Sequence, residues 1–257
     1  MSDNACFDDL KKAFIGFEGA SVFLYGEIGS TNDEAKRYAK DGFSENAIFV
    51  AARQTGGRGR LGRSFSSDEG GLYISYLLHP RLRAEDATMM TVYAAVALSE
   101  VLEKITALKP KIKWVNDVYA GKKKLAGILT EGQALANGEL AYAVVGIGVN
   151  VWKREFPEEL RGIATDIESE CGERISIGDL ALRLSERILR FEEATRDDYM
   201  DKYRDYSLVI GKRLTVISAD GSYEAEAVSI DDSGALTVRT DDGRLTRLFT
   251  GEVSVRL

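Results

Sequence analysis

The sequence predicts an α+β fold, in which helices pack on a mixed sheet and a small antiparallel β-barrel follows at the C-terminal end. Up to about residue 206, short strand-like runs are interspersed with helical patterns of apolar residues. From Lys212 onwards, apolar and polar residues alternate between recurrent Asp/Gly turns, which is typical of an antiparallel meander. We therefore predict a larger domain over residues 1–206 and a small β-barrel domain over residues 207–257.

Hydrophobic periodicity and capping signals predict the elements of the larger domain. Thr31 and Glu34 have the spacing of a capping box at the start of the second helix. The stretch 84–106 carries apolar residues at helical spacing, which indicates a long helix packed on the sheet. The predicted elements, in chain order, are a helix over 5–17, a strand at Val22–Ile28, the Thr31 helix, strands at Ala47–Gln54 and Leu72–Leu78, the helix over 84–106, strands at Lys111–Val115, Val118–Ala120, Leu125–Glu131 and Leu140–Val149, and a helix from Ser176 to about Tyr206.

Composition excludes several classes of protein. The chain has 257 residues and a net charge of −7, so a broad nucleic-acid surface is not expected and no DNA partner is predicted. The longest apolar stretch, Leu140–Trp152, is too short for a membrane span. Cys6 and Cys171 do not indicate a disulfide framework. The N-terminal segment lacks the pattern of a secretory signal, so a cytoplasmic location is expected. His79 is the only histidine, which excludes two-histidine metal sites.

The most informative segment runs from Gly56 to Arg63 and contains four glycines and three arginines. Glycine allows a ligand to approach the main chain closely, and the planar guanidinium group of arginine binds carboxylate or phosphate through paired hydrogen bonds. The segment therefore predicts a loop that closes over an anion. The alternative is a Gly-rich surface loop whose arginines are solvated.

Two nucleotide-binding motifs are close to this loop in sequence but do not fit it. Gly57, Gly59 and Gly62 match the dinucleotide fingerprint, and the loop also approaches a phosphate-binding P-loop. Both motifs require a helix directly after the glycines, whereas turn residues and the strand from Leu72 follow here. The P-loop further requires Lys where Arg63 stands.

Two polar segments lie beside apolar runs elsewhere in the chain. Ser30-Thr31-Asn32 stands at a helix N-terminus, where free N–H groups favour polar or anionic ligands, although a simple helix cap is the alternative. Lys113-Trp-Val-Asn-Asp117 places a cation, an amide and a carboxylate within five residues. If the strand is regular, Lys113, Val115 and Asp117 share one face. A salt-bridged surface strand is the alternative for this segment.

Two further segments complete the set of candidates. Lys122, Lys123 and Lys124 lie in a predicted hairpin turn, where solvated lysines are usual, but Lys124 abuts the apolar run and could point inwards. The run Gly146-Ile-Gly-Val-Asn150 places glycines inside a strand, which often marks close approach by a ligand.

In this order and spacing, the Gly-Arg-Gly-Arg loop, Lys-Trp-x-Asn-Asp, Lys-Leu-Ala-Gly-Ile-Leu and Gly-Ile-Gly-Val-Asn make the chain resemble biotin protein ligases, from about residue 22 to the C-terminus. The resemblance implies a catalytic domain like those of class II synthetases and an SH3-like C-terminal barrel. It is nearest to the monofunctional form, because no helix-turn-helix module fits before residue 20. The family usually has Pro where Val115 stands, which should alter only local stiffness.

The resemblance also implies roles for individual residues. Arg60, Lys124, Lys113 and Asp117 would be catalytic, and Asp117 would hold Mg²⁺. Biotin would be bound by Ser30, Thr31, Asn32, Gln54, Gly57, Arg58, Gly59, Arg60, Lys124, Gly127 and Gly146. The nucleotide would be bound by Arg60, Arg63, Phe65, Lys113, Asn116, Asp117 and Asn150.

The activity implied by this resemblance has two steps. Biotin and ATP would form biotinyl-5′-AMP, and a lysine of a biotin carboxyl carrier protein would then take the biotin, with ATP and Mg²⁺ required. A lipoate–protein ligase shares the adenylate chemistry, and a non-catalytic biotin or nucleotide sensor that dimerises is a rival from another class. An RNA-binding role for the loop is disfavoured by the net charge. A homodimer through an exposed sheet edge is compatible with the sequence.

Overall fold

The computed structural model describes residues 5–218, 221–249 and 251–255, which form two β-sheets with helices packed on the larger one. The larger sheet contains β1 (Ser21–Ile28), β2 (Ala47–Gln54), β3 (Gly71–Leu78), β4 (Lys111–Lys113), β5 (Asp117–Ala120), β6 (Lys123–Ala134) and β7 (Leu140–Asn150). The smaller sheet contains β8 (Arg213–Ser218), β9 (Gly221–Ile230), β10 (Leu236–Arg239), β11 (Leu245–Leu248) and β12 (Glu252–Val255). The helices are α1 (Ala5–Ala13), α2 (Thr31–Lys40), α3 (Thr88–Ile105), α4 (Ile167–Cys171), α5 (Ile177–Ile188) and α6 (Arg196–Asp205).

The larger sheet is mixed, as the sequence predicts. Its strand order is β1-β2-β3-β7-β6-β5-β4, and only β1 and β2 run parallel among these neighbours. The smaller sheet is antiparallel throughout, in the order β11-β10-β9-β8-β12, which confirms the predicted C-terminal meander.

Helices cover both faces of the larger sheet. Side chains alternate along each strand, so that Val50 faces the core formed with α1, α3 and α5, whereas Phe49 faces α2. Strand β2 is therefore buried on both faces over Ala47–Ala52, which explains why its sequence is an unbroken apolar run there. The α2 face carries the smaller apolar core, which leaves room beside it for a polar cleft.

The C-terminal sheet packs directly on the larger domain. Trp114 Nε1 donates to the Gly234 carbonyl at 2.9 Å, and Arg204 Nε donates to the Ile230 carbonyl at 2.8 Å. The Trp114–Val115 peptide bond is cis. The Tyr203 hydroxyl donates to the Val115 carbonyl at 2.9 Å, so the segment between β4 and β5 is held from two sides.

Two local predictions were wrong in detail. The helix predicted from Ser176 to about Tyr206 is two helices, because α5 ends at Ile188 and α6 starts anew at Arg196 behind the Thr195 cap. The N-cap of α2 is Ser30, whose hydroxyl accepts from the Asp33 N–H, so the cap lies one residue before Thr31.

Among the described residues, no helix is both long and apolar enough to cross a membrane.

Lys113 and Asp117 do not lie on one regular strand. They end β4 and begin β5, and they are directly opposite each other in this antiparallel pair. The intervening residues 114–116 form the tight connection. The hairpin brings the two side-chain positions together more closely than the predicted alternation along a single strand would.

Candidate active site

A cleft with an empty volume of about 990 Å³, which includes open solvent, lies on the α2 face of the larger sheet. It is bounded by the N-terminus of α2, by strands β6 and β7, and by the start of β12 with the residue before it. The segment from Gly56 to Arg63, called the Gly/Arg loop below, bounds the remaining side. The sequence-predicted residues that line it are Ser30, Thr31, Asn32, Gln54, Arg58, Gly59, Arg60, Arg63, Phe65, Lys113, Asn116, Asp117, Lys124, Gly127 and Gly146.

One end of the cleft is a network of uncharged polar groups at the start of α2. Gln54 Oε1 accepts from the Thr31 N–H at 2.8 Å and from the Thr31 hydroxyl at 3.0 Å. Gln54 Nε2 donates to the Ser67 hydroxyl at 3.1 Å, which fixes the orientation of the amide. The fully buried Ser75 hydroxyl lies 2.7 Å from Thr31 Oγ1 and 2.6 Å from Asn32 Oδ1. These groups are held in place by hydrogen bonds within the protein itself.

Glycines form the floor of the cleft. Gly127 and Gly148 pair across β6 and β7, and Gly146 pairs with Leu129. A Cβ atom on Gly146 would lie 1.9 Å from Asn32 Oδ1, and one on Gly148 would lie 2.6 Å from the Phe65 ring. The strand glycines are therefore required by the close approach of Asn32 and Phe65 to the sheet.

The Gly/Arg loop folds back on itself above this floor. The Gly59 N–H donates to the Arg63 carbonyl at 2.7 Å, and the Phe65 N–H donates to the Gly57 carbonyl at 3.0 Å. The Arg58 guanidinium lies 3.2 Å from Asp33 Oδ2, and both side chains are about half exposed. Leu61 has a φ of 56° and is 76% exposed, so the tip of the loop stands in solvent.

The middle of the cleft carries charges from three separate segments. Lys124 Nζ lies 2.7 Å from Asp117 Oδ1, and neither side chain is more than one-third exposed. Arg60 donates to Asn116 Oδ1 at 3.0 Å and to the Gly251 carbonyl at 3.3 Å, so it links the loop to the C-terminal domain. Asn116 Nδ2 donates to the Ile128 carbonyl at 2.8 Å, which leaves its oxygen turned towards Arg60.

The sequence matches two known protein families. The Biotin/lipoate A/B protein ligase family matches residues 28–150, and the Biotin protein ligase C terminal domain family matches residues 209–256. The biotin–[acetyl-CoA-carboxylase] ligase of Paracoccus denitrificans is 33% identical over 231 residues, which cover 86% of this chain and 95% of that protein. The chain belongs to the biotin protein ligase family.

Other members of this family resemble the chain over almost its full length. The biotin–[acetyl-CoA-carboxylase] ligase of Mycobacterium tuberculosis is 31% identical over 98% of this chain and 95% of that protein. A biotin protein ligase from Aquifex aeolicus, solved in complex with biotin and ATP, superposes with a TM-score of 0.76 at 33% identity, covering 92% of this chain and 98% of that chain. The fold class expected from the sequence is confirmed.

Two residues predicted for the ligase site do not line the cleft. Gly57 supplies a backbone contact inside the loop, and a Cβ atom there would lie 2.4 Å from the Phe65 carbonyl. Asn150 is buried; its Nδ2 donates to the Thr165 carbonyl at 3.0 Å, and its oxygen accepts from Arg154 at 2.7 Å. The roles predicted for Gly57 in biotin binding and for Asn150 in nucleotide binding stay predictions.

Sequence reasoning missed several residues that support the cleft. Ser75 and Glu131 both hydrogen-bond to Asn32, and Arg154 donates to the Ser66 carbonyl beside Phe65 at 3.0 Å. Burial raises the pKa of Tyr73, whose hydroxyl donates to the Asp68 carbonyl at 2.6 Å. The alternation along β3 and β6 places Ser75 and Glu131 on the cleft face, but nothing in the sequence shows that Asn32 comes to meet them.

Proposed function

We propose that the cleft binds biotin and ATP side by side, joins them as biotinyl-5′-AMP and transfers the biotin to a lysine of a biotin carboxyl carrier protein. The chain is an ATP-dependent biotin ligase, as its family membership and its similarity to the Aquifex aeolicus enzyme show. The proposal for individual residues rests on one observation. A single cleft joins an uncharged polar end, formed by Ser30, Thr31, Asn32 and Gln54, to a cationic centre, formed by Arg58, Arg60 and Lys124.

The polar end suits the ureido ring of biotin. This ring is uncharged and carries one carbonyl acceptor and two N–H donors, so it needs neutral partners of both kinds. Ser30, Thr31, Asn32 and Gln54 supply them at the start of α2, with Gly146 directly beneath Asn32. A network that is already ordered keeps the entropic cost of binding low.

The cationic centre suits the reacting groups. The biotin carboxylate attacks the α-phosphorus of ATP, a carboxylate–phosphorus bond forms, and the bond to the β-phosphate oxygen breaks as pyrophosphate leaves. Lys124, Arg60 and Arg58 would stabilise the negative charge on the phosphoryl oxygens and on the carboxylate. No histidine is needed, because positioning and charge stabilisation carry most of such a step.

The nucleotide would lie on the far side of this centre. Phe65 rests over Gly127 and Gly148 and offers an aromatic wall for the adenine, with Arg63, Lys113 and Asn116 nearby in the cleft lining. We assign Mg²⁺ to Asp117, because this ion is usually held by one or two carboxylates together with substrate phosphates. It would neutralise phosphate charge. The described residues contain no cluster of three or more acidic, histidine or cysteine side chains that would hold a metal without phosphates.

The second step requires a partner protein. The ε-amine of a carrier lysine attacks the acyl carbon of the adenylate, an amide forms, AMP leaves, and the amine loses a proton. We propose that this partner is a carboxylase carrier domain and that the reaction takes place in the cytoplasm without a DNA partner. We also propose that the protein forms a homodimer through an exposed sheet edge and that its two domains meet near residue 207. The closed Gly/Arg loop would shield the adenylate from water until the carrier arrives.

The test is intact-mass spectrometry of a biotin carboxyl carrier domain after incubation with this protein, biotin, ATP and Mg²⁺, beside a parallel reaction with lipoate. We expect the mass of one biotinyl group to be added only when ATP is present. A gain with lipoate alone would keep the chemistry and change the substrate. Biotin binding without any mass gain would favour a non-catalytic sensor instead.

A further inference from the structure

A partly buried chain of charged side chains lies behind the biotin end of the cleft. Glu131 Oε2 accepts from Asn32 Nδ2 at 2.9 Å, while Glu131 Oε1 lies 2.6 Å from Lys36 Nζ. Lys36 also contacts Asp33 at 3.0 Å on the outer side of α2. The side chains of Lys36 and Glu131 are 20% and 28% exposed, so the pair is partly shielded from solvent.

The location of Glu131 explains why it can reach Asn32. Along β6, Gly127, Leu129 and Glu131 alternate onto the same face, which is the face that carries the cleft. Strand β5 pairs with β6 only as far as Gly127. Glu131 therefore lies beyond the N-terminal end of β5, at the place where α2 crosses this face.

The chemistry of the neighbours fixes the orientation of the Asn32 carboxamide. Its NH₂ group faces the Glu131 carboxylate and the Leu129 carbonyl, which only accept hydrogen bonds. Its oxygen faces the Ser75 hydroxyl, which donates to it at 2.6 Å, and lies over Gly146 on the cleft floor. A flipped amide would turn its oxygen towards a carboxylate, so only one orientation is stable.

Counting protons shows what this orientation offers a ligand. The Ser75 hydroxyl has one proton but two acceptors close to it, Asn32 Oδ1 and Thr31 Oγ1. The Thr31 proton is already directed at Gln54 Oε1. The network is short of donors, so it can accept hydrogen bonds from a ligand N–H through the remaining lone pairs.

We propose that Glu131, neutralised by Lys36, is a positioning residue that holds the Asn32 oxygen towards the cleft as an acceptor for a ureido N–H of biotin. The proposal rests on the function proposed above and adds to it two residues that would not touch biotin. Lys36 contributes because a partly buried carboxylate is stabilised by a cationic partner at 2.6 Å. Burial acts to lower the pKa of Lys36, but hydrogen bonds to Glu131 and Asp33 outweigh it and raise the pKa, so Lys36 stays charged.

The test compares two substitutions of Glu131 in steady-state biotinylation of a carrier domain. Glu131→Gln keeps an oxygen that accepts from Asn32 and should stay within about threefold of wild type, whereas Glu131→Ala loses a charge-assisted hydrogen bond and should raise the KM for biotin about tenfold. The KM for ATP and kcat should change less than about twofold, because the cationic centre is untouched. Glu27→Gln, which breaks an exposed ion pair with Arg53, is the matched control.

A second measurement separates positioning from a general loss of structure. It uses two biotin analogues, each with oxygen in place of one ureido N–H, as substrates for wild type and for Glu131→Ala. We expect one analogue to be about tenfold poorer than biotin for wild type, and to be no poorer than biotin for Glu131→Ala, because the acceptor it fails to use is no longer held in place.

The outcomes separate this proposal from the proposed function. A wild-type protein that does not biotinylate the carrier overturns the function, and this inference with it. An active wild type with an unchanged KM for biotin in Glu131→Ala overturns the inference alone. So does a variant whose KM values for biotin and ATP rise together with a lower Tm, or one that keeps the full tenfold penalty for the analogue.

Discussion

The two ends of the cleft are built in opposite ways. At the biotin end, Thr31, Asn32, Gln54 and Ser75 are hydrogen-bonded to one another and anchored to β2, β3 and α2. On the other side of the cleft, the Gly/Arg loop reaches back to Asp33 of α2 through half-exposed Arg58, and its tip residue Leu61 stands in solvent. On the function proposed above, the uncharged ring of biotin would be recognised by a preformed site, whereas the reacting charges would meet side chains of a more exposed loop.

The physical reason lies in what each end must do. An uncharged ring gains little from long-range attraction, so recognition depends on hydrogen bonds of fixed geometry. A carboxylate and a phosphate are attracted to cations at longer range, and under the proposed function the loop would open and close around them. Order at one end and exposure at the other therefore follow from the chemistry of the two substrates.

The largest effect is expected from Lys124 at the cationic centre. Lys124→Ala should reduce the rate of adenylate formation about 100-fold, because a charge aimed at the reacting oxygens is lost. The rate is measured as pyrophosphate release in a single turnover without carrier. Lys123→Ala, at the exposed start of the same strand, is the control and should behave as wild type. A similar small effect for both variants would return Lys124 to a solvated role.

Substitution of the floor glycines distinguishes the two ends directly. Gly146→Ala places a Cβ atom 1.9 Å from Asn32 Oδ1, and Asn32 is held too firmly to move away. We expect a KM for biotin about 30-fold higher, within the usual cost of overpacking, with the KM for ATP almost unchanged. Gly148→Ala instead meets the Phe65 ring at 2.6 Å and should raise mainly the KM for ATP.

Gly26→Ala is the matched control for these glycine variants. Gly26 also lies in a strand of the larger sheet, and a Cβ atom there would have nothing within 4 Å. Its kinetics should equal those of wild type. If Gly146→Ala and Gly148→Ala both raised the two KM values equally, the two ends would not be separate sites and the comparison would fail.

A smaller effect is expected from Arg60, which joins the loop to Asn116 and to the Gly251 carbonyl. Arg60→Ala should leave the Tm within about 2 °C of wild type, because the lost contacts lie at the cleft rather than in the core. The adenylate should dissociate about tenfold faster, since a charged donor is removed. Stopped-flow release of biotinyl-5′-AMP measures this rate, with Arg53→Ala as the control on an exposed strand position. An unchanged release rate would contradict a retaining role for Arg60.

Much of the fold could be predicted from the sequence because the signals are local. The predicted strand at Ala47–Gln54 has the observed bounds, since burial on both faces makes its apolar run continuous. The helix predicted through residue 206 was wrong because apolar spacing alone does not show the break at 189–195, where Thr195 caps a new helix. The cap of α2 was misplaced by one residue because Ser30 and Thr31 are both good caps.

The cleft was predicted less completely, for a physical reason. Lys124 and Asn32 could be found because they belong to short segments of unusual composition, whereas Gln54 was named only through the family resemblance. Ser75 and Glu131 lie in ordinary strand sequence, and they act only because Asn32, which is 43 residues from Ser75 and 99 from Glu131, meets them in three dimensions. Support of a site from distant strands leaves no local signal.

The smallest effect is expected from pH, and only at the biotin end. Hydrogen bonds to Glu131 and Asp33 outweigh the effect of burial and raise the pKa of Lys36 above its ordinary value of about 10.4. A cation with a raised pKa in the folded protein keeps its full contribution below the ordinary value and loses it only as pH rises through the higher one. Lys36 should therefore keep its charge across the neutral and mildly alkaline range.

The Kd for biotin, measured by calorimetry without ATP, should accordingly vary less than about twofold between pH 7 and 9.5, since no proton needs to leave Lys36 in that range. Lys36→Met is the comparison, because it removes the cation at every pH and should weaken binding by a similar factor throughout. A wild-type Kd that rises towards the Lys36→Met value at pH 9 would show that the pair is lost early. In that case the biotin end would not keep its geometry across this range, and its description as the preformed end would not hold.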